Sequence, residues 1–213
     1  MIKKLVITDV SRMKGSRVCI FGIDEEGNNI RPILLPPGIN EEFVQKRNIE
    51  PFSIVELDLE PCKTLKPPHL EDWWMNTSYD PKLIGQLIPE EQIKFLEKIK
   101  DHSIESIFGA ELHQNHYIFE NEGKRSLGTI ETQIIGVSEN KFKDGHGKYK
   151  ITFLDNGNVY NLSVTDLRFK KYCDQLEYSK NMPPEDVAME LTLKIVGSVT
   201  FFAETRSFVS CGL

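Results

Sequence analysis

No run of apolar residues in this chain approaches the length of about 20 that a membrane-spanning helix needs. The longest, such as Val199–Ala203, are a few residues each. The N-terminus, Met1-Ile2-Lys3-Lys4-Leu5-Val6, has lysines but neither an extended apolar stretch nor a cleavage site. It reads as a first strand, not a leader peptide. Cys19, Cys62, Cys173 and Cys211 form no CxxC pair, which argues against a zinc site. They are expected to be buried thiols in a reducing compartment, so a cytoplasmic protein without membrane attachment is expected. HExxH, a paired-histidine motif and a Gly-rich phosphate loop are all missing, and no metal or cofactor is expected. A basic surplus is missing too: 26 Lys and Arg face 32 Asp and Glu, a net charge of −6. That balance weighs against strong nonspecific binding to duplexes, where phosphate attraction dominates.

What is there is strand. With 39% hydrophobic and 27% charged residues the composition is that of a globular protein. Leu5 and Ile7 alternate with Lys4, Val6 and Thr8, and a loop follows at Ser11–Ser16. Arg17–Ile23 is a second β-like run. Asp24-Glu25-Glu26-Gly27-Asn28 signals a tight turn, and Ile30–Leu35 is its hairpin partner. After Pro36-Pro37-Gly38, Asn40 is placed to cap a short helix reaching Arg47, with Glu41 and Glu42 in its first turn. Val55, Leu57 and Leu59 then alternate with Glu56, Asp58 and Glu60. The order is β-β-β-α-β.

That order returns. Thr129–Val137 is β-like and Ser138–Gly147 is a charged loop. Tyr149, Ile151 and Phe153 alternate with Lys148, Lys150 and Thr152, and Asp155-Asn156-Gly157-Asn158 is a hairpin turn. Tyr160, Leu162 and Val164 form the next strand. Asp166 can cap a helix whose Phe169, Tyr172, Cys173 and Leu176 make one apolar stripe, and Leu191, Leu193 and Ile195 follow with period two. A helix between strands three and four is the arrangement of the five-stranded OB barrel. The expected fold is therefore mainly β with minor α: one OB-like unit over residues 1–62 and another over 124–213. Between them, residues 63–123 form a helix-containing connector expected to pack on both units. Its helix starts near Pro89 and is expected to turn Ile93, Leu96 and Ile99 inward.

Several motifs resemble the bacterial dual OB-containing domain family. They are Thr8-Asp9-Val10-Ser11-Arg12, Arg17-Val18-Cys19, Ile30-Arg31-Pro32 and Pro67-Pro68-His69-Leu70-Glu71-Asp72-Trp73 in the first half. Ile107-Phe108-Gly109, Arg125-Ser126-Leu127-Gly128-Thr129-Ile130 and Val164-Thr165-Asp166-Leu167 continue the series. The resemblance implies two OB folds with a shared insertion and, through the fold, nucleic-acid binding.

OB barrels hold single strands with the face of strands two and three and with the loops joining strands 1–2 and 4–5. Met1–Arg17 carries five Lys and Arg against one Asp, and Lys141–Lys150 carries four Lys against one Asp. Both 1–2 loops are thus basic in an acidic chain, while Glu41–Glu60 carries six acids against two bases. Arg12, Lys14, Arg17, Lys141, Lys143, Lys148 and Lys150 are the expected phosphate contacts, and Phe142 the expected stacking residue. Tyr149, Phe153 and Tyr160 lie on the apolar alternation and are expected to fill a core. The favoured expectation is a non-catalytic module for single-stranded or irregular DNA or RNA. A second is an enzyme or small-ligand receptor centred on His69, Asp72, Arg31 and Arg125, because an imidazole beside carboxylates can move protons. A third is a scaffold for a partner protein. Convergence of those four residues into a cleft would favour the second. Arg125 can instead form a salt bridge, to Asp166 or to the connector.

Overall fold

A computed structural model describes residues 1–13, 16–115, 117–141, 147–169, 199–200 and 204–206. Strand β1, Ile2–Arg12, pairs antiparallel with β2, Val18–Asp24, and β2 pairs with β3, Asn29–Ile33. The β2–β3 turn is held by the Asp24 carboxylate, whose Oδ1 accepts from the backbone N–H groups of Glu26 (3.0 Å) and Asn28 (2.8 Å). Gly27 supplies the positive φ of 87° that the turn requires. A bulge interrupts β1 between Ile7 and Asp9. Gly22 lies opposite it, and a Cβ there would stand 2.8 Å from the Val6 carbonyl oxygen. Helix α1, Glu41–Lys46, follows, and the Asn40 side chain accepts from the Phe43 N–H as its cap.

Strand β4, Ser53–Pro61, returns to pair with β1. The ring is completed by β5, Asp72–Met75, which runs parallel to β3 and antiparallel to β4. The order β1-β2-β3-β5-β4, with β4 back on β1, is a closed five-stranded barrel. Its fifth strand comes from the stretch that alternation assigns to the connector. Strand β6, Lys82–Gln86, extends the sheet from β4. Leu5, Ile7, Val10, Val18, Ile20, Ile30, Val55, Leu57 and Leu59 fill the barrel.

The connector goes on as α2, Pro89–Ile99, then α3, Ile104–Phe108, and β7, Tyr117–Phe119. Its residues enter every core. Met75 is part of the barrel interior, Phe95 and Ile99 pack on Phe21, Ile23 and Leu127, and α3 buries Ile104, Ile107 and Phe108 in the second core. The inward face of α2 is the expected one at Ile99 but not at Ile93. Ile93 is 62% exposed, and Phe95 with Ile99 makes the contact. Apolar residues at 88, 93, 95, 96 and 99 allow more than one stripe, and the aromatic ring takes the seat because it buries the larger area. Ile93→Lys should accordingly leave stability within about 0.5 kcal/mol of the parent. A urea midpoint that drops as far as that of Phe95→Ala would restore the expected stripe.

In the second unit, β8 is Thr129–Ile130 and β9 is Gln133–Lys141, so the run expected as one strand is two. Strands β10, Gly147–Asp155, and β11, Asn158–Ser163, complete an antiparallel meander in the order β11-β10-β9. Asn156 and Gly157, both at positive φ (47° and 79°), make the hairpin turn. Strand β12, Val199–Thr200, pairs antiparallel with β8, as β4 pairs with β1, and β13, Glu204–Arg206, lies parallel to β7. Ile118, Ile130, Ile151, Phe153, Tyr160 and Leu162 join α3 in the core. Tyr149, Phe153 and Tyr160 are buried, as the alternation requires. The Asp166 carboxylate accepts from the N–H groups of Arg168 (2.7 Å) and Phe169 (2.9 Å), which caps the helical residues 167–169. The expected strand at Leu191–Ile195 lies outside the described residues. Among the described residues, no helix is long and apolar enough to cross a membrane.

Candidate nucleic-acid interface

On the first barrel, the face where OB folds usually hold a strand is already covered. Every residue of β2 is buried. Val18 and Ile20 point inward, and the alternate residues Phe21 and Ile23 pack outside the barrel against Leu127, Phe95 and Ile99. Beside them a polar joint ties β3 and β5 to the start of the second unit. Arg31 Nε donates to Asp72 Oδ1 at 2.5 Å, and Arg31 Nη1 donates to Ser126 Oγ at 3.3 Å. Ser126 donates from both its backbone N–H (3.1 Å) and its hydroxyl to Glu71 Oε1, and the Arg31 N–H donates to the Glu71 carbonyl at 2.7 Å. Both ionic side chains of the Arg31–Asp72 pair are mostly buried, at 14% and 16% exposure.

Burial dominates the protonation of this joint. It opposes charge on Arg31, but the Asp72 hydrogen bond and charge more than offset it, and the guanidinium is held above its ordinary value. It pushes the neighbouring Cys19 thiol up to about 12, leaving it inert. It raises the Glu71 carboxyl above 4.5, against the Ser126 hydrogen bonds and the charge of Arg31. The folded chain therefore holds the Glu71 proton more tightly than the unfolded chain, and stability is lost as pH rises from 4.5 through the raised value. Glu71→Gln removes that dependence. Urea titrations from about pH 4 to about pH 8 should show the variant gaining on the parent across this window and holding level above it. A gap that does not change with pH would mean that Glu71 titrates normally.

Of the four residues proposed for chemistry, His69 and Asp72 line one cleft of 460 Å³. Burial and the charge of Arg31 lower the His69 pKa, so its ring is neutral at pH 7. Arg31 reaches this site only through Asp72. Arg125 lies elsewhere: its Nε donates to the Ile107 carbonyl at 2.7 Å and its Nη2 to Asp101 Oδ1. Its ion pair is with the connector, not with Asp166. His69, Asp72 and Arg31 are thus linked through the cleft and the Arg31–Asp72 pair, and Arg125 is not part of that group. No group of His, Cys, Asp and Glu with metal-binding geometry occurs among the described residues.

The second unit presents the opposite picture. Tyr149, Ile151 and Phe153 turn inward, so the alternate positions of β10 look out. Cross-strand partners arrange them in rows. Lys150 stands between Ser138 and Ser163, Thr152 between Gly136 and Asn161, and Leu154 beside Val159. Ser138, Asn161 and Ser163 are exposed, and Leu154 and Val159 are 42% and 52% exposed. Asn161 Nδ2 donates to Thr152 Oγ1 at 2.9 Å. Lys148 occupies the next alternate position, opposite Asn140. These hydroxyl and amide residues were missed in the sequence, although Thr152, Asn161 and Ser163 alternate with the apolar set just as the lysines do.

The remaining predicted contacts are dispersed over this end of the molecule. The Arg12 guanidinium is bound to Glu41 Oε1 at 2.7 and 3.0 Å. The Arg12 backbone N–H donates to the Thr165 carbonyl at 2.8 Å, Ser11 bridges Asp166, and Leu167 packs on the first core. The rim of the first barrel is thus joined to the end of β11. Arg17 is exposed just before β2. Lys141 belongs to β9, not to the loop, because the ladder continues to Lys141 opposite Gly147, and Lys148 lies on β10, the strand expected for it. Lys14, Phe142 and Lys143 lie outside the described residues.

A closed barrel with its helix between strands three and four, followed by a second unit whose β9, β10 and β11 repeat the β1-β2-β3 meander, defines a tandem OB-fold protein. The chain belongs to the dual OB-containing domain family, whose model matches residues 3–194. No curated protein and no solved structure gives a significant match to it.

Proposed function

We propose that the protein binds single-stranded or irregular nucleic acid on the outer face of β10 and β11, without catalysing a reaction on it. The observation that carries this reading is the contrast between the two units. The face of strands two and three is covered by Leu127 and the connector helix in the first barrel, whereas in the second Leu154, Val159, Asn161 and Ser163 are exposed and Lys150 and Thr152 half-buried. The open face has a cation, Lys150, set among serines, and a polar and then an apolar row beyond it. Cations suit phosphates, and hydroxyls and amides suit base edges and sugars. Lys148 and Lys150 lie at one end of this face, and the rim bearing Arg12 joins the same end through Thr165, just beyond Ser163. The net charge of −6 keeps attraction local to these segments.

Filter binding with single-stranded DNA, single-stranded RNA and a duplex, each at two salt concentrations, tests the proposal. Binding to a single strand that weakens with salt, and exceeds binding to the duplex, supports it. Absence of binding to every single strand at low salt overturns it.

A further inference from the structure

We propose that the cleft beside β5 is a nucleobase pocket with a preference for guanine. Its volume of 460 Å³ lies within the range of small-ligand sites, about 300–1,000 Å³. Trp74 and Pro67 line it, together with His69, Asp72 and, at its mouth, Lys66 and Glu120. An indole among the lining residues is the kind of group a base stacks on.

The polar groups select among bases. A carboxylate only accepts hydrogen bonds, and Arg31 fixes the orientation of Asp72 by binding its Oδ1 at 2.5 Å. The Watson–Crick edge of guanine offers two adjacent donors, N1–H and the 2-amino group. Uracil and thymine instead flank their single N–H with carbonyl oxygens that would face the carboxylate. Adenine sets a bare N1 beside its amino group. Neutral His69 lines the cleft without adding charge against the base. Lys66 is 73% exposed and 3.8 Å from Glu120, a loose surface pair that leaves the ammonium available to a phosphate at the mouth. The guanine can come from a free nucleotide or from the end of a strand; only the second source rests on the function proposed above.

The parent protein is titrated calorimetrically with GMP, AMP and UMP. Saturable binding of GMP, about tenfold tighter than UMP, is the expected result, a preference of about 1.4 kcal/mol. The two tryptophans are Trp73 and Trp74, so Trp73→Phe leaves Trp74 as the only indole reporter. GMP should quench its fluorescence saturably. Lys66→Ala should weaken GMP severalfold and leave guanosine unchanged, which separates the phosphate from the base. Oligonucleotides ending in guanine, compared with ones carrying guanine only internally, identify the strand-end source. A Lys150→Glu variant distinguishes the two readings: it should lose strand binding and keep GMP binding. No saturable nucleotide binding to the parent, or equal affinity for GMP and UMP, overturns the pocket whatever strands do on β10 and β11.

Discussion

Asp72→Ala should lower the unfolding free energy by about 3–5 kcal/mol, the usual effect of removing one partner from a buried ion pair. The substitution leaves the Arg31 guanidinium mostly buried with Ser126 Oγ, at 3.3 Å, as its remaining side-chain partner. It also releases β5 at its first residue, where Asp72 lies opposite Arg31 in the parallel pairing that closes the barrel. Asp72→Asn should recover part of the loss, because an amide oxygen still accepts from Nε while the charge attraction is gone. Urea unfolding by circular dichroism at neutral pH measures both variants. A loss under about 1 kcal/mol for the alanine variant would show that water replaces the carboxylate, and that the pair behaves as a surface bridge.

The second large effect concerns binding. Lys148→Glu combined with Lys150→Glu should reduce single-strand affinity by about 25-fold or more in 0.1 M salt. That figure assumes two lost phosphate contacts, each contributing about 0.7 to the log–log salt slope for single strands. The slope itself should flatten by about 1.4. Lys82→Glu is the control: it lies on β6, in the first sheet, and carries half the charge change of the double variant. If the control weakens binding as much as either lysine on β10, attraction is diffuse and no strand face is defined. If neither affinity nor slope changes in the double variant, the open face is not the site.

The sequence was most informative where contacts are local. Asn40 caps α1, the Asp24–Asn28 and Asn156–Gly157 turns set their hairpins, and strict alternation identified β4, β10 and β11. In each case the signal and the structure it specifies lie within a few residues. Strand β5 was missed because four residues, Asp-Trp-Trp-Met, are too few to show a period. Its partner β3 is parallel and 41 positions away at Arg31 and Asp72. The covered face of the first barrel was hidden for a related reason. Phe21 and Ile23 read as strand residues, but only the tertiary placement of Leu127, Phe95 and Ile99 decides what covers them. Glu71 was visible as a carboxylate in a suggestive motif. That it anchors Ser126 depends on contact across 55 positions.

The apolar seat formed by Phe21, Ile23, Phe95, Ile99 and Leu127 also bears on how the chain can be divided. Its members come from three successive parts of the sequence: a barrel strand, the connector helix and the segment that opens the second unit. Cutting between residues 123 and 124 would withdraw Leu127, and with it Ser126 from Glu71. A fragment made of the first barrel and connector would then show water an aromatic and aliphatic surface beside a buried carboxylate that had lost its donors. Such a fragment invites self-association, and the two halves are expected to melt in one transition instead of two. The two OB units are consecutive in the sequence, but for expression, proteolysis and unfolding they should be treated as one indivisible object.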